Sequence, residues 1–300
     1  MSKDNLDQNI IIIDPFSSNG LILARDFSLK KRLVTLFTSS IFINNSDFLG
    51  QNEVEDNLQI VDVSDSCVDN LMKYFFSHNY SRIFIIKPLF DVDLIFKELS
   101  EVEIEQFNKI SSLEIAIKNY ALKNDIGVYG NDCFFVTSLF LEKFVEKLIN
   151  FLQSDQKRLL VNSFDFTLLY NHKLNLRDYY STFLNVDNSF ELDSDASASI
   201  FTIRDLFRVV FEELGAELEF SGKNENERGV IVDYMDDFPF KNDLLTHKIK
   251  LGNTLLKLND KIHSRLSNVS QNDGSTLNHT LLNSNEIKHV LFQMIADILG

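Results

Sequence analysis

The sequence predicts an α/β protein whose core is a doubly wound parallel β-sheet. Short apolar runs rich in β-branched residues recur between residues 9 and 164, as is typical of strands buried on both faces. Between these runs lie helical stretches long enough to cross from one parallel strand to the next. This alternation indicates a Rossmann-type sheet with helices on both faces. The 10 glycines and 3 prolines leave no Gly- or Pro-rich linker between separate domains.

The predicted elements can be placed along the chain. The predicted strands are Asn9–Ile13, Val34–Phe37, Leu58–Val61, Arg82–Ile86, Ile126–Tyr129, Arg158–Phe164, Ala216–Phe220 and Gly229–Val232. The predicted helices are Gly20–Leu33, one carrying Leu71, Met72, Phe75 and Phe76, Glu101–Lys123, Thr137–Leu152, Phe201–Leu214, Thr246–Leu266 and Asn285–Leu299. Gly215 is a good C-terminal cap, and Asn268–Asn283 reads as a loop. We expect a Rossmann-like domain over residues 1–170, interleaved with a small α+β substrate lobe over residues 171–300 as one compact unit.

Charge and composition exclude several classes of partner. The net charge is −15, and the 44 acidic residues are spread along the chain. Phosphate contacts need clustered Lys and Arg, so we expect neither nucleic acid nor a membrane as partner. Ile10–Ile13 is too short for a signal peptide or a membrane span. Cys67 and Cys133 form no CxxC pair and the six histidines have no metal-ligand spacing, so we expect a reduced cytoplasmic protein without a metal.

Four segments carry a family resemblance. They are Leu176-Arg177-Asp178-Tyr179, then Thr202–Phe207 followed by Glu213–Gly222, then Asp243-Leu244-Leu245 with Lys248, and, upstream, Asp62-Val63-Ser64-Asp65. In this order and spacing the chain resembles the GDP-mannose 4,6-dehydratases, which are extended short-chain dehydrogenases/reductases of the NAD-dependent epimerase/dehydratase group. The resemblance implies a Rossmann fold, NADP as cofactor and a nucleotide-sugar as substrate.

The family's cofactor turn is degenerate in this chain. Members bind NADP through a GxxGxxG turn after the first strand, where glycine lets the backbone approach the pyrophosphate. Those glycine positions fall on Asp14, Ser17 and Gly20, and only the last, packing glycine is kept. A carboxylate at Asp14 would repel the pyrophosphate by a few kcal/mol, or ~10²-fold in affinity. We therefore expect no bound cofactor.

Other cofactor contacts are also changed. Thr38, Ser39 and Ser40 stand where NADP-using members carry an Arg pair for the 2′-phosphate. Asp62 and Val63 are in place to meet an adenine, but an Asp at a strand end serves equally well as a helix cap.

The catalytic positions depart as well. The family's Tyr lies four residues before a Lys, which lowers the Tyr pKa for proton and hydride transfer. Lys143 aligns with that Lys, but Leu139 stands in place of the Tyr. Cys133 and Phe135 fall where the resemblance implies a Thr and a Glu for water elimination. Lys143 is therefore a vestigial catalytic candidate, and an exposed lysine on an amphipathic helix is the simpler interpretation.

The substrate lobe keeps two arginines of interest. The Arg expected to grip the nucleotide diphosphate is replaced by Phe238, whereas Arg177 and Arg204 remain. These two can hold a substrate phosphate, or they can pair with Asp178 and Asp205 within the fold. Structural pairing is the expectation we favour.

Three functional hypotheses stay open. Two follow from this resemblance, and the third is an unrelated interaction protein that reuses the fold. The first is a noncatalytic homologue, a regulatory or scaffolding subunit in nucleotide-sugar or polysaccharide synthesis. The second is a divergent NAD(P)-dependent dehydratase or epimerase with Tyr129 or Lys143 as base. As partner we expect a second copy or an active homologue, packed on helices Glu101–Lys123 and Thr137–Leu152 as in the family. The apolar sets offered for this interface are Phe107, Ile110, Leu113 and Ile117, and Phe140, Phe144 and Leu148.

Overall fold

The computed structural model describes residues 8–14, 19–29, 33–38, 57–63, 70, 72–73, 82–86, 91–130, 133–171, 198–234, 247–260, 262 and 285–299. Two compact units divide these residues. The first holds the described residues up to 86 and residues 100–130, and the second holds residues 91–99, 133–171 and the described residues from 198 onwards. The segment 133–170 therefore belongs with the C-terminal residues, and not with the 1–170 domain expected from the sequence.

The first unit contains a five-stranded, fully parallel sheet. Its strands are β1 (Gln8–Asp14), β2 (Leu33–Thr38), β3 (Leu58–Asp62), β4 (Arg82–Ile86) and β5 (Gly127–Gly130). They lie in the order β3-β2-β1-β4-β5. The chain thus winds outward from β1 to β3 and returns to the other side of β1 for β4, which is the order of a Rossmann-type sheet. The predicted fold class is confirmed.

Burial of β1 on both faces explains its composition. Ile10, Ile11, Ile12 and Ile13 are each at most 3% exposed. Because neighbouring side chains in a strand point to opposite faces, Ile11 and Ile13 face one layer and Ile10 and Ile12 face the other. Each buried isoleucine contributes about 1.5–3 kcal/mol. An unbroken apolar run is therefore what this central strand requires.

The first unit contains helices α1 (Asn19–Leu29) and α3 (Glu101–Lys123). Helix α2 (Asp93–Phe96), between them in sequence, belongs to the second unit. Helix α1 packs against β1 and β2. A capping box starts α3, because the Ser100 hydroxyl accepts from the Glu103 amide and the Glu103 carboxylate accepts from the Ser100 amide. Leu113 and Ile117 of α3 join the core cluster on the Ile11 face of the sheet.

In its described residues the second unit combines two small sheets with α2 and three longer helices. One sheet has the order β10-β11-β12-β7 and the other has the order β6-β8-β9. These strands are β6 (Phe134–Val136), β7 (Leu159–Val161), β8 (Thr167–Asn171), β9 (Ala198–Thr202), β10 (Ala216–Ser221), β11 (Arg228–Tyr234) and β12 (Thr254–Leu258). The helices besides α2 are α4 (Ser138–Gln153), α5 (Ile203–Glu213) and α6 (Asn285–Leu299).

A cluster of phenylalanines fills the space between α2, α4 and α5. Phe207 lies at its centre, with ring centroids 4.9 Å from Phe144, 6.1 Å from Phe96 and 6.2 Å from Phe164. These tilted and edge-to-face pairs are the arrangements that aromatic rings prefer. The side chain of Asn162 ties α2 to the end of β7, because its Nδ2 donates to the carbonyls of Leu94 and Lys97 at 2.9 and 2.8 Å.

Several predicted elements need correction. The helix predicted over Thr246–Leu266 is wrong in its described part, because Thr254–Leu258 is a strand paired with β11 and β7. The strand predicted at Arg158–Phe164 is limited to β7 and pairs parallel with β12, and not with the five-stranded sheet. The helix predicted from Phe201 begins at Ile203, after the cap Thr202, and Gly215 follows its end at φ 78°, as expected of a glycine cap.

Part of the predictions lies outside the described residues. Of the predicted helix after β3, the structure describes Asn70, Met72 and Lys73, which are helical, with Met72 in the core of the first unit. Residues 71, 75 and 76 and the predicted loop at 268–283 are not among the described residues.

Candidate functional site

The carboxyl edge of the parallel sheet is the first candidate site. Strands β1, β2 and β3 end at Asp14, Thr38 and Asp62, and these three residues are neighbours in register. Ligands of doubly wound sheets bind at this edge, near the point where the winding reverses. Here that point lies between β1 and β4.

Gly20 lies in the first turn of α1 and is buried. It thus occupies the helix-packing position that the resemblance assigns to the last glycine of the turn. The main chain of Asp14 ends β1, while its side chain and the whole of Ser17 lie outside the described part of the chain. The described residues therefore form the two ends of the turn, the end of β1 and the first turn of α1.

Val63 has both main-chain groups engaged within the fold. Its N–H donates to the Thr38 carbonyl at 2.9 Å, and its own carbonyl accepts from the Lys109 amine at 3.0 Å. Its side chain is fully buried, whereas Asp62 beside it is half-buried. The alternative in which Asp62 caps the next helix involves residues 64–69, which are outside the described ranges.

Lys109 is a residue of this edge that sequence reasoning missed. It lies one and two helical turns before Leu113 and Ile117, both fully buried, so it sits on the inward face of α3. The sequence could have identified it as a lysine that shares a helix face with buried apolar residues. Its amine reaches the carbonyl of Val63, which follows β3 and lies 46 residues earlier in sequence, a pairing that no local pattern predicts.

The described groups at the three strand ends offer little to a phosphate-bearing dinucleotide. Asp62 brings a carboxylate, and Thr38 is 3% exposed with its carbonyl engaged by Val63. A 2′-phosphate or pyrophosphate calls instead for guanidinium groups, amines or closely approached backbone amides. The amine of Lys109 lies near this edge, but it donates to Val63.

The positions aligned with the catalytic residues lie in the second unit. Leu139 and Lys143 are one turn apart on α4, and both are exposed, Leu139 to 57%. Cys133 and Phe135 are buried at 3% and 1%, Phe135 within β6. A buried thiol and a phenyl ring supply no acid or base to a cleft. Tyr129 lies in β5, and its side chain is outside the described part.

The apolar sets expected to face a partner lie in the chain's own cores, where the structure describes them. Leu113 and Ile117 are fully buried in the first unit, and Phe140, Phe144 and Leu148 are at most 5% exposed in the second. The outward face of α3 carries other apolar residues, Ile115 at 46% and Leu122 at 79% exposure. The side chains of Phe107 and Ile110 are outside the described part.

Arg204 is the substrate-lobe residue that the structure describes, and it is paired within the fold. Its Nη2 lies 2.8 Å from Asp165 Oδ1 and 2.7 Å from Glu227 Oε1, and its guanidinium lies 5.4 Å from the Phe220 ring centroid. The pairing expected with Asp205 is wrong, because that carboxylate accepts from the hydroxyl and amide of Thr202 and so caps α5. Arg177 and Phe238 lie outside the described residues.

The environment of Arg204 favours its charged form. Burial acts to lower the pKa of Arg204, but attraction to Asp165 and the hydrogen bond and attraction to Glu227 outweigh it, so the pKa is raised. The cation therefore joins the loop before β8, helix α5 and the start of β11. This is the arrangement of a structural ion pair.

The described ranges contain no group of three or more His, Cys, Asp or Glu residues that could hold a metal ion. No described helix combines the length and the apolar character needed to cross a bilayer.

The strand order defines the first unit as a Rossmann-type α/β domain. No family model and no curated protein matches the chain. Among solved structures it is similar to a protein described as an epimerase from Burkholderia cenocepacia J2315, at 9% identity and a TM-score of 0.28, covering 98% of this chain and 99% of the other. It is also similar to Pen from Bacillus thuringiensis, at 11% identity and a TM-score of 0.27, covering 70% and 76%. TM-scores this low do not establish a shared fold, and the fold assignment rests on the strand order of the sheet.

Proposed function

We propose that this protein is a noncatalytic homologue of the GDP-mannose 4,6-dehydratases, acting as a regulatory or scaffolding subunit in nucleotide-sugar or polysaccharide synthesis. The main support is the pair Leu139 and Lys143. An exposed leucine stands one helical turn before the lysine, at the position where the family needs a phenol. Without that hydroxyl the lysine has no proton donor to activate.

The remaining catalytic and cofactor positions support the same proposal. Phe135 and Cys133 are core residues of the second unit, and two strand ends of the first unit carry carboxylates where a dinucleotide brings phosphates. Arg204 is held by two carboxylates of its own fold. One such departure can arise from a misplaced alignment, whereas all of them together favour loss of the activity.

A scaffolding role requires a surface for a partner, and the outward face of α3 offers one. Ile115 and Leu122 are seven residues apart, so they lie on the same side of the helix, and both are exposed. An active dehydratase homologue or a second copy of this chain is the partner that the proposal names. Light scattering that finds only monomers at high concentration, with and without the homologue, would count against it.

The cofactor site is tested by calorimetric titration with NAD and NADP. We expect no binding at micromolar concentrations, because carboxylates at this edge repel the phosphates. The variant Asp14→Gly/Ser17→Gly restores the two turn glycines and serves as the matched comparison. Micromolar affinity of the unaltered protein for either dinucleotide would refute the proposal in favour of the divergent enzyme.

The catalytic positions are tested with Leu139→Tyr. We expect this variant to show no turnover of GDP-mannose, because the phenol has no nicotinamide opposite it and catalytic groups that act as a unit are not restored singly. The assay compares it with a triple variant that also carries Asp14→Gly and Ser17→Gly. Turnover by the single variant would show an intact cofactor site.

A further inference from the structure

The second unit carries a cleft of about 740 Å³ whose lining is rich in positive charge, although the chain as a whole carries −15. Lys157, Arg158 and Lys248 line it as cations, and the imidazole of His247 lies beside them. Among the described residues of the lining, Asp155 is the single carboxylate. The local balance of charge is thus opposite to that of the whole chain.

One wall of this cleft is the loop between α4 and β7. The Ser154 hydroxyl donates to the Phe151 carbonyl at 2.8 Å and accepts from the Gln156 amide at 3.2 Å. The Gln156 side chain then donates to the Arg158 carbonyl at 2.7 Å. These bonds hold the main chain of the loop, while the side chains of Lys157 and Arg158 are exposed.

The other wall is the turn that leads into β12. The Asn253 side chain donates to the Lys248 carbonyl at 2.9 Å, and the Gly252 amide donates to the Ile231 carbonyl at 2.8 Å. Gly252 has φ 79°, and the space where a Cβ would lie is open. The turn is therefore fixed to β11 and leaves its side of the cleft unobstructed.

Lys248 joins the two walls. Its amine donates to the Phe151 carbonyl at the end of α4, lies 3.5 Å from the Ser154 hydroxyl and stands 4.2 Å from the Phe151 ring centroid. Burial lowers the pKa of Lys248, and Asp155 opposes that effect. This cation thus serves the fold, since it offsets the negative end of the α4 dipole.

The other basic side chains of the cleft have no acidic partner among the residues that the structure describes. Within the described ranges, the side chains of Lys157, Arg158 and His247 make no ion pair. Guanidinium and ammonium groups that converge on a cleft are the groups that recognise phosphate oxygens. The volume falls in the roughly 300–1,000 Å³ range of small-molecule sites.

We propose that this cleft binds a phosphate-bearing small anion with at least two phosphate charges, held by Lys157 and Arg158 from one wall and by His247 from the other. The two hydrogen-bonded walls pre-form the site, so little main-chain ordering opposes binding. This site lies within the second unit and does not depend on the strand ends of the parallel sheet or on the proposed noncatalytic role.

The experiment titrates the full-length protein with inorganic pyrophosphate, using calorimetry at low salt and amide chemical shifts to locate the site. We expect one site, with shifts in residues 154–158 and 247–255, and tighter binding of pyrophosphate than of inorganic phosphate. The variant Arg158→Glu should weaken the binding by about tenfold or more, since it replaces an attraction by a repulsion. Lys157→Glu should act in the same direction.

The matched control is Lys223→Glu, which makes the same change of net charge at an exposed position that does not line this cleft. We expect it to weaken binding less than either cleft variant, because an exposed charge that does not contact the anion acts on it only through solvent of high dielectric constant. Thermal unfolding of each variant checks that the fold is intact. Absence of pyrophosphate binding, an equal loss in control and cleft variants, or shifts that map elsewhere would each overturn the proposal.

Discussion

Replacing Phe207 by alanine is expected to lower the free energy of unfolding of the second unit by about 3–5 kcal/mol. Phe207 is fully buried, and its ring meets the rings of Phe96, Phe144 and Phe164. The substitution removes that apolar surface and leaves a cavity whose walls belong to three different helices and a loop, so the site cannot collapse easily. The loss would be a large fraction of the stability of a typical domain.

The measurement is unfolding in denaturant, monitored by the hydrogen exchange of peptides from α5. These peptides report on the second unit separately from the first. Phe292→Ala on α6 is the matched control, because Phe292 is 37% exposed. For that variant we expect a loss of about 1 kcal/mol or less. Equal losses in the two variants would contradict the central place assigned to Phe207.

Replacing Arg204 by alanine is expected to cost about 2–3 kcal/mol of stability in the absence of any ligand. The substitution leaves Asp165 and Glu227 near each other without their shared cation, and Glu227 is only 14% exposed. Breaking a fully buried pair costs roughly 3–5 kcal/mol, and the partial exposure of Arg204 and Asp165 reduces that value.

This variant also separates the two roles considered for Arg204. If the arginine chiefly held a substrate phosphate, its removal would leave the stability of the free protein almost unchanged. Arg208→Ala is the comparison, since Arg208 is exposed and lies 3.4 Å from Asp205, and we expect a loss of at most about 0.5–1 kcal/mol. Equal effects of the two substitutions on unfolding would refute the structural role.

The parallel sheet was predictable because its signal is local. Ile10–Ile13 reads as a strand buried on both faces, and β1 is central and buried. Helix α3 was predicted with its observed bounds, because its helical pattern lies within the segment itself. All five strands of this sheet could therefore be placed along the chain without any knowledge of long-range contacts.

The second unit was harder to predict because its strands are short and depend on distant partners. Residues 254–258 place Leu255, Leu256 and Leu258 inside, a spacing that suits a helix as well as a strand. Pairing with β11 on one side and β7 on the other decides the outcome. Strand β6, of three residues, is likewise defined only by β8, which begins more than thirty residues later.

The candidate site was predictable only in its residue types. The sequence identifies Leu139 as an apolar residue before Lys143, but exposure of both follows from the packing of the opposite face of α4. The partners of Arg204 could not be foreseen, because Asp165 and Glu227 lie 39 and 23 residues away in sequence. The positive cleft was missed for the same reason, as residues 154–158 and 247–255 come together only in the fold.

The path of the chain sets an order for folding during synthesis. All five strands of the parallel sheet are synthesised by residue 130, before any described strand of the second unit, so this sheet can form first. Segment 91–99 is made before that point, yet it folds with the second unit, where Asn162 binds the carbonyls of Leu94 and Lys97. Val92, Ile95 and Leu99, all buried in the finished protein, therefore remain an uncovered apolar segment of the nascent chain until β7 and its neighbours emerge.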